Sequence, residues 1–308
     1  MSEGADIRFD GQVAIVTGAG GGIGREHALL LARRGAAVVV NDTGGALDGS
    51  GASSAAQSVV DEIVRAGGNA VASTASVATP QGGRQIVEAA LASFGRVDAV
   101  VHNAGILRDR TLANMDLERE LLPVLQVHLL GAFHVGQPAF QAMKEQRYGR
   151  FVLTSSGSGL WGAFGQSNYG AAKAGLVGLT HVLALEGERL GIKANAIAPN
   201  ALTRMTAPLD KPFGTAPVEA FPPSLVSPFV AYLCSRECEV NGEIFSVGGG
   251  QVARIFLGLS RGVFRNQPPW TPEELRDRLG QIRDTTQFIV PASFDDETAK
   301  LEALLGEL

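Results

Sequence analysis

At 308 residues the chain exceeds one ordinary domain, yet a doubly wound α/β domain plus an extension accounts for it. Hydrophobic residues make up 45% and charged residues 19%, which suits a soluble globular protein with a substantial core. A formal net charge of −5 gives no basic footprint for nucleic acid, and no apolar stretch reaches the roughly 20 residues that span a bilayer. The opening MSEGADIRFDGQ lacks the basic and apolar regions of a secretion signal. The two cysteines, Cys234 and Cys238, fit reduced, partly buried thiols and no metal site. A cytoplasmic protein is the expectation.

The first apolar run, Gln12–Thr17, passes into Gly18-Ala19-Gly20-Gly21-Gly22-Ile23-Gly24 and then into a helix over Arg25–Arg34. Glycines let a backbone turn tightly and approach a pyrophosphate, whose charge is favoured at a helix N-terminus. Gly18, Gly22 and Gly24 make TGxxxGxG instead of GxGxxG; alone, the pattern also fits a merely structural turn. The next run, Ala37–Asn41, ends at Asp42, 18 residues after Gly24. That is close to the spacing of about 20 at which a carboxylate meets an adenosine ribose. Such a carboxylate accepts ribose hydroxyls and repels a 2′-phosphate, and no Arg or Lys lies between Gly18 and Gly24. NAD is therefore favoured over NADP; the alternative is a solvated Asp at a strand end.

Helical stretches at Ala52–Ala66, Gly83–Phe94 and Leu117–Glu145 alternate with the runs Ala70–Thr74, Val97–Val101 and Arg150–Thr154. Ser156 follows the last run, thirteen residues before Tyr169. Tyr169-Gly-Ala-Ala-Lys173 sets phenol and ammonium one helical turn apart on one face. A tyrosine's ordinary pKa is about 10, and a nearby ammonium favours phenolate, so the pair is suited to proton exchange with a substrate oxygen. The Ser156 hydroxyl can hold that oxygen as charge develops. A helix over Ala171–Leu190 and the runs Ile192–Ala198 and Glu243–Val247 follow. The alternation predicts a doubly wound Rossmann-type α/β domain over 1–250, with a seven-stranded parallel sheet and ligands at the carboxyl ends of its strands.

Beyond Gly250 the pattern changes. Pro268, Pro269 and Trp270 interrupt the chain, and Thr271-Pro272-Glu273-Glu274 then opens a capped helix with Leu275, Leu279 and Ile282 on one face. Residues 251–308 are expected to form a helical extension that packs on the core or on a partner subunit.

Taken in this order, TGxxxGxG, Ser156 and the Tyr169/Lys173 pair resemble the short-chain dehydrogenase/reductase family over at least residues 10–250. His102-Asn103-Ala104-Gly105 is similar to the family's usual NNAG, and Ser76-Val77 stands where members often have Asp-Val. The resemblance implies cofactor contacts from Gly18, Gly22, Ile23, Gly24, Asp42, Ser76, Val77, Asn103, Ala104 and Gly105, and from Tyr169 and Lys173. It extends these contacts to Ala201, Leu202, Thr203 and Arg204, although Asn200 departs from the usual Pro-Gly pair. A fourth catalytic position, ordinarily Asn-Leu-x-Gly, reads His128-Leu129-Leu130-Gly131. His128 either supports a water-linked proton path from Lys173 or is a satisfied core histidine. No metal is implied.

Stretches including VVVNDTGG, NAGILRDR, GAFGQSNYGAAK and NAIAPNALTRMT, and the tail with its TPEE helix, resemble one subfamily. That subfamily is the (3R)-hydroxyacyl-CoA dehydrogenase part of peroxisomal multifunctional enzyme type 2. The C-terminal Gly-Glu-Leu is not a peroxisomal Ser-Lys-Leu signal, and a free-standing relative is the expectation. The resemblance implies oxidation of a 3-hydroxyacyl-CoA thioester and a homodimer or homotetramer. A 17β-hydroxysteroid dehydrogenase, a ketoacyl-carrier-protein reductase and a catalytically silent dinucleotide sensor stay open as alternatives. The proline-rich Met205–Ser224, with Phe213 and Phe221, is expected over the nicotinamide end. Arg254, Arg261 and Arg265 either meet coenzyme A phosphates or form a solvated basic face.

Overall fold

The computed structural model describes residues 6–51, 53–206 and 215–306. The first half of the chain runs β1 (Val13–Thr17), α1 (Gly22–Arg33), β2 (Ala37–Asn41), α2 (Ala55–Arg65), β3 (Asn69–Ser73), α3 (Pro80–Phe94) and β4 (Ala99–His102). Then come α4 (Leu122–Leu125), α5 (Gly131–Gln146), β5 (Gly149–Thr154), α6 (Gly157–Trp161), α7 (Ser167–Gly187), β6 (Ile192–Asn200), α8 (Ser227–Cys234), β7 (Ile244–Gly248) and β8 (Gln251–Ile255). The sheet order is β3-β2-β1-β4-β5-β6-β7-β8, and every pair from β3 to β7 is parallel. The sheet has eight strands where seven were expected. The extra one is β8, which falls within the expected extension.

Both faces of the sheet are covered, so strands of continuous apolar residues are stable here. In β1, Ala14 and Val16 enter one core with Leu31, Ile63 and Leu233. Val13 and Ile15 enter the other with Ile86, Val135, Met143 and Phe151. This is the period-two alternation of a strand. After β3 the chain returns to the other side of β1, so the carboxyl ends of β1 and β4 lie together at the switch point. Doubly wound sheets bind their ligands there.

One expected helix differs. Over Leu117–Glu145 the chain makes a π-helical turn at Leu117–Leu121, α4, a second π-helical turn at Gln126–Leu130 and then α5. Pro123 has no N–H to give to the preceding turn, as a continuous α-helix through this stretch would require, and the second π turn carries His128, whose ring and carbonyl both have partners outside the helix. Inserted turns of this kind often mark functional positions.

The chain divides after Arg254 into two compact units. In the second, β9 (Leu259–Ser260) pairs antiparallel with β10 (Phe288–Ile289), with α9 (Pro272–Asp277) and α10 (Leu279–Ile282) between them and α11 (Phe294–Gly306) after. The Thr271–Glu274 capping box forms in full. The expected single helix is broken at Arg278, and Leu275 and Leu279 stay 37% and 49% exposed.

Candidate active site

The turn after β1 is shaped by close backbone approach. A Cβ on Gly18 would stand 2.7 Å from the Ala104 Cα, and one on Gly24 would stand 2.3 Å from the Gly18 carbonyl oxygen. Glycine alone permits that packing. The Asn103 amide ties the turn to β4 by donating to the Thr17 and Gly18 carbonyls at 3.2 and 3.1 Å. Asp42 closes the other side: its carboxylate accepts from the Gly20 N–H at 2.9 Å and the Gly44 N–H at 2.7 Å. Its two oxygens thus brace the glycine turn and keep lone pairs on the wall of a cleft of about 270 Å³. Gly18, Ser76, Val77, Ala104, Gly105 and Arg204 line the same cleft.

A second cleft of about 160 Å³ adjoins it, sharing Gly105 and Arg204. Here stand Gly22, Ile23, Asn103, Ala201 and Thr203, together with Ser156, Tyr169, Lys173 and His128. Gly24 and Leu202 are not among the lining residues of either cleft. Gly24 packs on Gly18, and the Leu202 N–H is bonded to the Phe221 carbonyl at 2.6 Å. Ser156 leaves β5 in extended conformation and caps α6 by accepting from the Ser158 N–H at 3.2 Å. Gly159 lets α6 lie on α7, since a Cβ there would come within 2.7 Å of the Lys173 backbone. Asn168 anchors the start of α7 by donating to the Arg108 and Glu120 carbonyls, each at 2.8 Å.

The electrostatics correct one expectation. Burial pushes the Tyr169 phenol above its ordinary value; the Ser156 hydroxyl, bonded to it, pulls the other way, and the Asp109 carboxylate raises it further. Lys173 does not hold the phenol down, because burial lowers the lysine itself to about 7. Its ammonium nitrogen donates to the Thr154 carbonyl at 2.5 Å and sits 5.5 Å from the Tyr169 ring centroid. Tyr169 is thus a neutral phenol that can give a proton, beside a lysine poised near neutrality.

His128 is buried, and burial drives its imidazole well below the ordinary histidine value, with Lys173 adding to the effect. Its Nε2 lies 3.1 Å from the Ile106 N–H and 2.9 Å from the Ile106 carbonyl. One nitrogen cannot accept and donate at once, so the Ile106 peptide offers a partner for either tautomer. Its Nδ1 has no partner among the described residues, and the ring meets Tyr169 edge-on at 5.1 Å.

Sequence reasoning overlooked Thr17, Ile106, Thr154, Asp109 and Asn168. Each acts through its backbone or through a contact between distant segments, which spacing does not reveal. His102 opens the His-Asn-Ala-Gly motif, whose spacing does not show what its ring touches. Of the expected substrate segment, Met205 and Thr206 line the catalytic cleft, whereas Phe213 lies outside the described residues. The tail arginines are mostly engaged already. Arg265 forks onto Glu274 at 2.8 and 2.9 Å and stacks on Trp270 at 3.9 Å; Arg254 pairs with Glu243 at 3.4 Å; Arg261 reaches Gln287 at 3.4 Å. Carboxylates thus partner two of the three guanidiniums.

The short chain dehydrogenase family model matches residues 12–212. The chain belongs to the short-chain dehydrogenase family. It is 46% identical over 309 residues to the peroxisomal multifunctional enzyme type 2 of Mus musculus, matching 98% of this chain and 40% of that protein. This chain therefore spans about two fifths of the mouse relative. It is 41% identical over 290 residues to a hydroxyacyl-CoA dehydrogenase of Mycobacterium tuberculosis, covering 88% of each. A crystal structure of a short chain dehydrogenase from Mycobacterium avium superposes with a TM-score of 0.78 at 46% identity, covering 90% of this chain and 98% of that one. The family's cofactor is a nicotinamide dinucleotide, NAD or NADP. The site fits such a group: glycine walls free of side chains run from the Asp42 cleft to the Tyr169 cleft. A Cβ on Gly21, which lines the second cleft, would project into open space there.

Proposed function

We propose that this short-chain dehydrogenase oxidises (3R)-3-hydroxyacyl-CoA to 3-ketoacyl-CoA with NAD, and runs in reverse when NADH is in excess. The observation that carries the reading is the convergence of Ser156, Tyr169, Lys173 and His128 in one cleft that continues into a second one walled by Asp42. The cofactor would lie along Gly18–Ile23, with Asp42, Ser76 and Val77 on its adenosine side and Asn103, Thr203 and Lys173 on its nicotinamide side. When bound it supplies hydride exchange with the carbinol carbon. Ser156 holds the substrate oxygen, and Tyr169 exchanges a proton with that oxygen. Lys173 takes that proton on, and the Nδ1 of His128, without a partner among the described residues, supports a water-linked path from the lysine. The thioester assignment draws on the hydroxyacyl-CoA dehydrogenase relative and on the subfamily resemblance.

Its test is kcat/KM for a medium-chain 3-hydroxyacyl-CoA beside that for a 17β-hydroxysteroid. The thioester is expected to be favoured by tenfold or more, about 1.4 kcal/mol of transition-state binding. A tenfold steroid preference, or activity confined to the (3S) thioester, overturns the assignment.

Asp42→Ala is expected to weaken the preference for NAD over NADP, because it removes the ribose acceptor and the repulsion of a 2′-phosphate together. Titration of both reduced cofactors by fluorescence checks this. Equal affinity of the unaltered protein for the two would show that Asp42 does not select.

We further propose that α5 and α7 pair across a two-fold axis. Phe133 on the first and Val182 and Leu185 on the second are about half exposed, and an isologous contact would cover them. Light scattering at micromolar concentration should give a dimer or a larger even assembly; a monomer alone would exclude the pairing.

A further inference from the structure

His102 ends β4, is buried, and takes no part in the mechanism above. Burial, reinforced by Lys173, lowers its pKa to about 4, so it is neutral. Its tautomer follows from its neighbours. The Thr17 hydroxyl oxygen already accepts two backbone N–H groups, from Asn103 at 3.0 Å and Ala104 at 3.1 Å. Both its lone pairs are therefore used, and its proton must go to the atom 3.3 Å away, His102 Nδ1. That nitrogen is an acceptor, so the ring proton sits on Nε2. From there it is donated to the His128 carbonyl at 3.0 Å.

Both histidines stand where the family usually has asparagine, and the structure puts them in contact. Gly131 allows the approach, since a Cβ there would come within 3.2 Å of the His102 ring. His102 therefore joins two parts of the site that are distant in sequence. On one side is Thr17, at the start of the glycine turn; on the other is the π-helical turn carrying His128.

We propose that His102 is a positioning residue: locked as its Nε2–H tautomer by Thr17, it fixes the His128 backbone and thereby aims the His128 imidazole between the Ile106 peptide and the catalytic cleft. This rests on the reading of His128 as a proton partner of Lys173. A core-filling role would need the volume of the ring; the positioning role needs the Nε2 donor.

Asparagine and glutamine separate the two requirements. The amide of His102→Gln stands near Nε2 and can still reach the His128 carbonyl. That of His102→Asn stands near Nδ1 and reaches only Thr17. His102→Asn is expected to lose about 10- to 100-fold in kcat, the scale on which a small misplacement near the chemistry acts. His102→Gln should stay within about threefold of the unaltered enzyme, and NADH affinity within about twofold in both. In a His128→Ala background, His102→Asn should cause no further loss, because coupled residues are non-additive. Full kcat in His102→Asn overturns the proposal. So does an equal loss in both backgrounds, or a loss matched by weakened NADH binding and a lowered Tm. Full activity of His128→Ala overturns the relay reading instead, and is distinguishable because it needs no change at His102.

Discussion

Tyr169→Phe is expected to lower turnover by roughly 10²- to 10⁴-fold, the usual worth of a positioned general acid or base, with NADH affinity largely kept. The phenyl ring retains the edge contact with His128 at 5.1 Å and stays in the same buried place, so the substitution removes a hydroxyl and little else. That hydroxyl is bonded by Ser156 and lines the same cleft. Because burial holds the phenol above its ordinary pKa, it is protonated at neutral pH and ready for ketone reduction. Alcohol oxidation must first pass that proton on, and Lys173, lowered to about 7, accepts it only once deprotonated. The oxidation rate should therefore rise with pH through the neutral range, and the reduction rate should not. A stopped-flow comparison of both directions measures this. A fully active Phe variant would exclude Tyr169 as the proton carrier.

Much of this site was legible from spacing. A strand that runs into TGxxxGxG, an aspartate at the end of the next strand and a Tyr-x-x-x-Lys turn are local patterns, and local geometry fixes what each can do. The parallel sheet followed equally from its alternating runs. What remained hidden depends on contacts across the fold. The eighth strand hid because Gln251–Ile255 follows β7 after only two glycines, and its partly exposed residues carry no buried-strand pattern. The π-helical turns leave the apolar pattern of 117–145 helical, since one inserted residue per turn changes hydrogen bonding more than composition. The pKa expectation for Tyr169 failed for a related reason. Helical spacing shows that Lys173 is near, and burial, which dominates both groups, belongs to the tertiary structure. Arg254 and Arg265 looked like free cations in sequence because Glu243 and Glu274 become their partners only on folding.

Ser156→Ala is expected to cost about 10² to 10³ in kcat, the range for losing one preorganised donor to a developing oxyanion. The direction follows from how the hydroxyl is committed. It accepts from the Ser158 N–H at 3.2 Å, and that contact turns its proton away from α6 and towards the cleft it shares with Tyr169. The cap fixes the serine oxygen, so the proton that meets Tyr169 in the free enzyme has only to turn towards the substrate oxygen as charge builds there. The same contact creates a second, smaller effect: without the cap, α6 should lose about 1 kcal/mol of stability. The two effects separate by measurement, because Ser156→Asn keeps a capping oxygen but places its donor one atom further out. Thermal melting should then recover in the Asn variant while kcat stays low. An alanine variant that lost stability and activity together, with both restored by asparagine, would reduce Ser156 to a helix cap and leave the oxyanion without its donor.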